Sequence, residues 1–159
     1  MLEIRHATVD DVALLRALIC ELAEYERERD AVSITESQLA EDGFGEDRKF
    51  CALIAEWDGQ SAGYAFYFDF YSTWAGRQMF LEDLFVRPQF RGKGIGKRLM
   101  ARVAHIASES GCVGMRWEVL GWNQSAIDVY RALGAEFLDD WKLVMLRGQA
   151  LRDLAEGGR

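Results

Sequence analysis

The stretch VRPQFRGKGIGKRLM, residues 86–100, follows an apolar run and precedes a helical one, and it crowds Arg91, Gly92, Lys93, Gly94, Gly96 and Lys97 into one short loop. Two familiar phosphate loops do not fit it. A P-loop ending on Gly96 and Lys97 needs glycine at 91 and a hydroxyl at 98 to reach magnesium, but arginine stands at both positions. A dinucleotide fingerprint starting at Gly92 and Gly94 needs a third glycine at 97, where helix and strand must approach closely; that position is Lys97. General physics still applies. Glycines let the backbone turn several N–H groups toward one point, and a helix N-terminus adds about half a positive charge. Phosphate or pyrophosphate is the guest this arrangement suits. A plain glycine-rich turn with solvated lysines is the other reading of these residues taken alone.

The 159 residues suit one domain with a real core, half of them are hydrophobic, and proline occurs once, which is the composition of a folded chain. No apolar run reaches the roughly 20 residues of a membrane span, and Glu3 and Arg5 interrupt the place of a signal peptide. A cytoplasmic protein is expected. Cys20, Cys51 and Cys112 are far apart, and with two histidines they offer no metal-ligand spacing. Packing as small apolar side chains is expected of the cysteines. The net charge of −7 disfavours nucleic acid and fits a cationic substrate.

No repeat, low-complexity segment or long linker divides the chain, so residues 1–159 read as a single domain. Residues 2–6 read as a strand. Val12, Leu15, Leu18, Ile19 and Leu22 recur at helical spacing between Asp10 and Tyr25. A shorter helix begins after Ser33 or Thr35 and ends near Gly43. FCALIAEW, SAGYAFYFDFY and QMFLEDLFV read as strands, the first two joined by a tight turn at DGQ. After the glycine loop come a helix over residues 95–110, a strand VGMRWEV, a helix over residues 123–133, a strand EFLDDWKLVML and a short polar tail. The expected order is β-α-α-β-β-β-α-β-α-β, an α/β domain with a mixed sheet.

LEDLFVRPQFRGKGIGKRLM and WNQSAIDVYRALGAE resemble the two central motifs of the GNAT superfamily of acetyl-CoA-dependent N-acetyltransferases. ELAEYE, EDGFGE and FLEDLFV extend the resemblance to its diamine and polyamine (spermidine/spermine) branch, over nearly the whole chain. The resemblance implies a mostly antiparallel sheet flanked by helices, with strands four and five splayed to admit acetyl-CoA. It also implies a homodimer. Arg91, Gly92, Lys93, Gly94, Ile95, Gly96 and Lys97 then cradle the pyrophosphate of coenzyme A. The backbone of Leu84, Phe85 and Val86 bonds the pantetheine arm, and Asn123, Ser125 and Tyr130 lie beside the cofactor. No metal is implied.

Acetyl transfer to an amine has to dispose of a proton, because an alkylammonium of pKa ~10.4 is only about one part in two thousand neutral at pH 7. Glu82 and Asp83 interrupt an apolar strand just before the glycine loop, where a charge is costly without a task. In a regular strand they take opposite faces. By the resemblance Glu82 relays the amine proton, and Tyr130 is the general acid to the departing thiolate. Tyr130 falls seven residues after Asn123, so both point to nearly the same side of their helix. Asn123 also suits a helix N-cap.

By the resemblance, Tyr25 and Glu26, Glu82 and Asp83, and Asp139 and Asp140 before Trp141 are expected to line a polycation cleft, which Trp117 would crowd further. Aromatic rings among carboxylates suit alkylammonium groups. Arg116 and Glu118 share a strand face, and Arg116 would repel a free polyamine yet hold the carboxylate of an amino acid. A diamine or polyamine is therefore one expected acceptor and the ω-amine of an amino acid such as thialysine the alternative. A protein-directed acetyltransferase and a non-catalytic acyl-CoA-binding module are the further classes to separate.

Overall fold

A computed structural model describes residues 1–157. It divides into two compact units, Met1–Glu118 and a second that begins at Val119. In the first unit strands β1 (Leu2–His6), β2 (Cys51–Trp57), β3 (Gln60–Ser72), β4 (Gly76–Val86) and β5 (Met115–Arg116) form one sheet in sequence order. The pairs β1–β2, β2–β3 and β3–β4 are antiparallel and β4–β5 is parallel, the mixed, mostly antiparallel sheet expected from the sequence. Helices α1 (Val12–Tyr25), α2 (Glu36–Phe44) and α3 (Ile95–Glu109) flank it.

Alternation along β2, β3 and β4 divides the core between the two faces of the sheet. On one face Ala52, Ile54, Tyr64 and Phe85 pack against Leu15 and Leu18 of α1, extended by Val12, Leu39 and Phe50 toward α2. Leu53, Ala65, Tyr67 and Met79 are buried on the other, as are Leu99 and Val103 of α3, which packs on β3 and β4. Each fully buried leucine or valine contributes roughly 1.5–3 kcal/mol. Thr35 caps α2 by accepting from Gln38 N–H. Arg5 forks onto both carboxylate oxygens of the buried Asp11 at 2.7 and 2.8 Å, tying β1 to the start of α1. Arg87 does the same to Glu21 at 2.6 and 2.8 Å, tying the end of β4 to α1.

Two features of β4 set up the site. Its ladder with β5 comprises only Met79 with Met115 and Phe80 with Arg116, although β4 continues to Val86. The expected strand VGMRWEV is therefore a two-residue strand, and the backbone edge of β4 beyond Phe80 has no β5 partner. Residue Gly63 of β3 lies so close to β4 that a Cβ there would stand 2.2 Å from the Phe85 carbonyl oxygen.

Within the second unit, α4 (Gln124–Ala132) and α5 (Gly148–Gly157) are helices. The expected strand EFLDDWKLVML is not one: residues 135–147 belong to neither helix nor strand. Strand geometry is held by pairing, and residues 119–157 contain no other strand to pair with. The expected polar tail is α5, where Leu151 and Leu154 follow a helical spacing and Gln149 bonds Asp153 one turn on.

Candidate active site

A β-bulge places Glu82. Phe66 pairs with Asp83 and the next residue, Tyr67, with Leu81, so Glu82 is the extra residue of β4 with no partner on β3. Strict alternation therefore fails here. Leu81 and Leu84, three apart, both lie opposite residues of the α3 face, Tyr67 and Ala65. A bulge bends the strand and re-aims one side chain, and Glu82 is exposed while its neighbours Leu81 and Phe85 are buried. Asp83 stays on the α1 face, where the Tyr64 hydroxyl donates to its Oδ2 at 2.7 Å.

Carboxylates converge on this point. Enough protein surrounds the Glu82 carboxyl to withdraw water from it, which raises its pKa, and Asp83 and Glu118 add negative charge that raises it further. Burial raises Asp83 against the opposing hydrogen bond from Tyr64. Glu26, the C-cap of α1, is raised by desolvation and by Asp83. Burial and then Asp83 push the Tyr64 hydroxyl well above its ordinary range. None of the ion pairs among the described residues engages Glu26, Glu82, Asp83 or Glu118. Four carboxyls outside those ion pairs form a wall of negative potential that an alkylammonium would relieve. They do not form a metal site: no group of three or more His, Cys, Asp or Glu among the described residues could hold an ion. Arg116 is turned toward Phe70, its guanidinium carbon 4.9 Å from the ring centroid. Trp117 separates Arg116 from Glu118 in sequence and is half-buried.

Nine residues beyond the bulge begins the glycine loop. A turn over Pro88–Phe90 anchors it through buried Phe90, and Gly92 and Gly94 both take left-handed conformations, with φ of 77° and 75°. Space is not the constraint at Gly94, since a Cβ there would meet nothing within 4 Å. Conformation is. Gly94 is the N-cap of α3 and supplies no side-chain cap, nor is there an acidic residue in the first turn. The first helical bond runs from Arg98 N–H to the Gly94 carbonyl, so the N–H groups of Ile95, Gly96 and Lys97 are left over at the positive end of the helix dipole. The Lys93 ammonium lies 4.5 Å from the Trp57 ring centroid. Arg91 lies 4.5 Å over the Tyr25 ring and donates from Nε to the Val86 carbonyl at 3.0 Å. Tyr25, expected among the amine-binding residues, thus touches the glycine loop. Leu84, Phe85 and Val86 pair on one side with Ala65, Tyr64 and Gly63; the Phe85 side chain belongs to the core.

In the second unit Asn123 caps α4, its side chain accepting from Ala126 N–H at 3.3 Å. Ser125 is exposed in the first turn and Tyr130 is half-buried in the last. Desolvation raises the Tyr130 pKa, which keeps the hydroxyl protonated at neutral pH. Asp140 and Trp141 sit at a turn closed by Trp141 N–H to the Leu138 carbonyl, and both are exposed. Two partners went unnoticed in the sequence, Tyr64 and Trp57. Each reads there as one more aromatic residue of a strand, because only the register of β3 against β4 brings Tyr64 to Asp83.

Residues 13–135 match the acetyltransferase (GNAT) family. The chain belongs to that family. It is 42% identical over 163 aligned residues to a thialysine N-epsilon-acetyltransferase of Sus scrofa, covering 96% of both chains. It is 36% identical to a human spermidine/spermine N(1)-acetyltransferase-like protein 1, covering 96% of this chain and 24% of that one. A solved integron cassette protein from the V. cholerae mobile metagenome superposes with a TM-score of 0.79 at 28% identity, covering 98% of each. This GNAT chain is an acyltransferase, and its reaction is acetyl transfer to an amine.

Proposed function

We propose that this acetyltransferase moves the acetyl group from acetyl-CoA to a primary amine of a small molecule that carries a second cationic group. The observation that carries this reading is the bulge at Glu82, which sets one exposed carboxylate beside Asp83, Glu26 and Glu118 without a cationic partner. The pyrophosphate falls to the N–H groups at the start of α3, with Gly92, Gly94 and Lys93 around it, and the pantetheine arm to the unpaired edge of residues 84–86. In the reaction the ammonium gives a proton to Glu82, directly or through water. The freed nitrogen attacks the thioester carbonyl and a C–N bond forms; the nitrogen then gives up its second proton to water, and the C–S bond breaks as the tetrahedral intermediate collapses. Tyr130 protonates the leaving thiolate. A backbone N–H near Leu84 meets the oxyanion.

Two acceptor classes carry the required second charge. The ω-amine of thialysine is favoured by the 42% identical relative over full length. A diamine or polyamine is favoured by Arg116, whose guanidinium is turned onto the Phe70 ring. A free CoA-release assay with thialysine, lysine, 1,4-diaminobutane, spermidine and a lysine peptide tests the reading. Turnover of the small cationic amines and not of the peptide is expected, and turnover of the peptide alone would overturn it.

The family match runs from residue 13 to residue 135 through both units, which supports one N-acetyltransferase domain over residues 1–159. We place it in the cytoplasm as a homodimer. No helix among the described residues is long and apolar enough to cross a membrane, and Tyr71 and Trp74 at the β3–β4 turn are 71% and 87% exposed, more aromatic surface than a monomer usually shows there. Light scattering that gives the mass of one chain across micromolar concentrations would overturn the dimer.

A further inference from the structure

Tyr64 has no solvent exposure, yet its hydroxyl does not bond to the backbone of its own sheet. It crosses from β3 to β4 and donates to Oδ2 of Asp83 at 2.7 Å. The groups that act on this pair come from several elements: Glu26 from the end of α1, Glu82 from the bulge, and, through Glu82, Glu118 from beyond β5. All are negative. A buried tyrosine whose only need was a satisfied hydroxyl would be served by a backbone carbonyl. Here it is spent on holding a carboxylate that its surroundings push toward neutrality. Resting on the proposed reaction with a doubly charged amine, we propose that Tyr64 is a positioning residue, fixing the Asp83 carboxylate as the counter-charge for the second cationic group of the acceptor.

The bond does two things. It fixes the rotamer of Asp83 so that Oδ1 faces away from Tyr64, and it opposes the desolvation that favours the neutral acid. Removing it leaves a carboxyl that is freer to turn and more readily protonated. The loss should fall on acceptors with a second charge and be greatest in mild acid, recovering as rising pH ionises Asp83 again.

The test compares 1,4-diaminobutane with butylamine in wild type, Tyr64→Phe, Asp83→Asn and the double variant. In Tyr64→Phe the kcat/KM ratio of diamine to monoamine should fall roughly 10-fold, the scale of a hydrogen bond to a charged group, chiefly through the KM of the diamine. Its acidic limb should move to higher pH. Tyr64→Phe should change that ratio no further in the Asp83→Asn background. Equal losses for the two amines, or a full Tyr64→Phe effect with Asp83 already replaced, would overturn the inference. Should Tyr64→Phe fail to fold, Asp83→Asn decides it alone: its side-chain carbonyl still accepts from Tyr64, and an unchanged diamine-to-monoamine ratio would be fatal. Calorimetric binding of both amines keeps this question apart from the reaction. Absence of turnover with every amine would break the functional reading, whereas equal affinities of wild type for the two amines would break this one.

Discussion

In the proposed reaction, strand β4 leads from one kind of recognition to another within a few residues. At Glu82 and Asp83 the working parts are side chains, aimed by a bulge and held by Tyr64. At residues 92–97 the working parts are backbone N–H groups, aimed by two glycines of positive φ and a helix N-terminus. The acidic wall is sensitive to charge and to register. The loop is sensitive to backbone conformation and nearly indifferent to which side chains surround it. Mutations should divide the same way, those in the wall changing pH dependence and acceptor choice, those in the loop changing CoA affinity.

The largest effect belongs to neither region. Tyr130→Phe removes the proposed proton donor, and kcat should fall roughly 10²- to 10⁴-fold with little change in CoA affinity. A variant within a few-fold of wild type at every pH would leave positioning of the two substrates as the account of the rate. Glu82→Gln tests the wall. Its pKa is raised by desolvation and by Asp83 and Glu118, so wild-type kcat/KM should have an acidic limb above the ordinary carboxylate range. Glu82→Gln should lose that limb, and its deficit, roughly 10²-fold near neutrality, should shrink as more amine arrives deprotonated. A pH-independent deficit would recast Glu82 as a binding group only.

The loop breaks differently. Gly94→Val forces a β-branched residue to φ 75°, at a cost of about 1–2 kcal/mol or more, and should weaken CoA binding at least about tenfold in calorimetric titration. Lys93→Ala should cost less than about 1 kcal/mol, as its ammonium is exposed and already lies over Trp57. Larger loss from Lys93→Ala than from Gly94→Val would mean that charge, not backbone, holds the phosphates.

These regions also differed in how readily the sequence disclosed them. Gly92 and Gly94 announce positive φ by residue type alone, and the helix behind them follows from Leu99, Met100 and Val103 at helical spacing. The five strands and α1 to α4 were legible for the same reason, since apolar periodicity is local. A bulge is not local. Whether Glu82 is paired or extruded depends on Phe66 and Tyr67 of the neighbouring strand, and strict alternation was the only expectation available from QMFLEDLFV. The Tyr64–Asp83 bond was hidden behind that same register. EFLDDWKLVML alternates well enough to suggest a strand, yet pairing decides the matter and residues 119–157 supply no partner. The roles proposed for Tyr130 and Glu82 come from the family resemblance of their motifs, which no local periodicity encodes.

The smallest expected effect is on stability, and it sets the acidic wall against a carboxylate of the opposite kind. The Arg5 fork, with help from Thr8, lowers Asp11 to about 2. A lowered carboxyl contributes stability that is complete above its unfolded value and disappears as pH falls through about 2. Asp83, Glu82 and Glu26 are shifted the other way. The folded state then binds more protons than the unfolded one, so stability should rise as pH falls from neutrality toward the ordinary carboxylate range. Solvent screening limits the share of exposed Glu82. Urea unfolding across that range should therefore show a maximum in mild acid. Asp83→Asn should flatten its neutral side and leave the acid side alone, while Asp11→Asn should lower stability in mild acid and at neutral pH alike and flatten the fall toward a pH of about 2. A diamine bound at the wall supplies the charge that protons otherwise supply, so saturating 1,4-diaminobutane should raise the neutral side more than the acid side. A curve that the diamine raises equally at every pH would mean that it binds elsewhere than among these carboxylates.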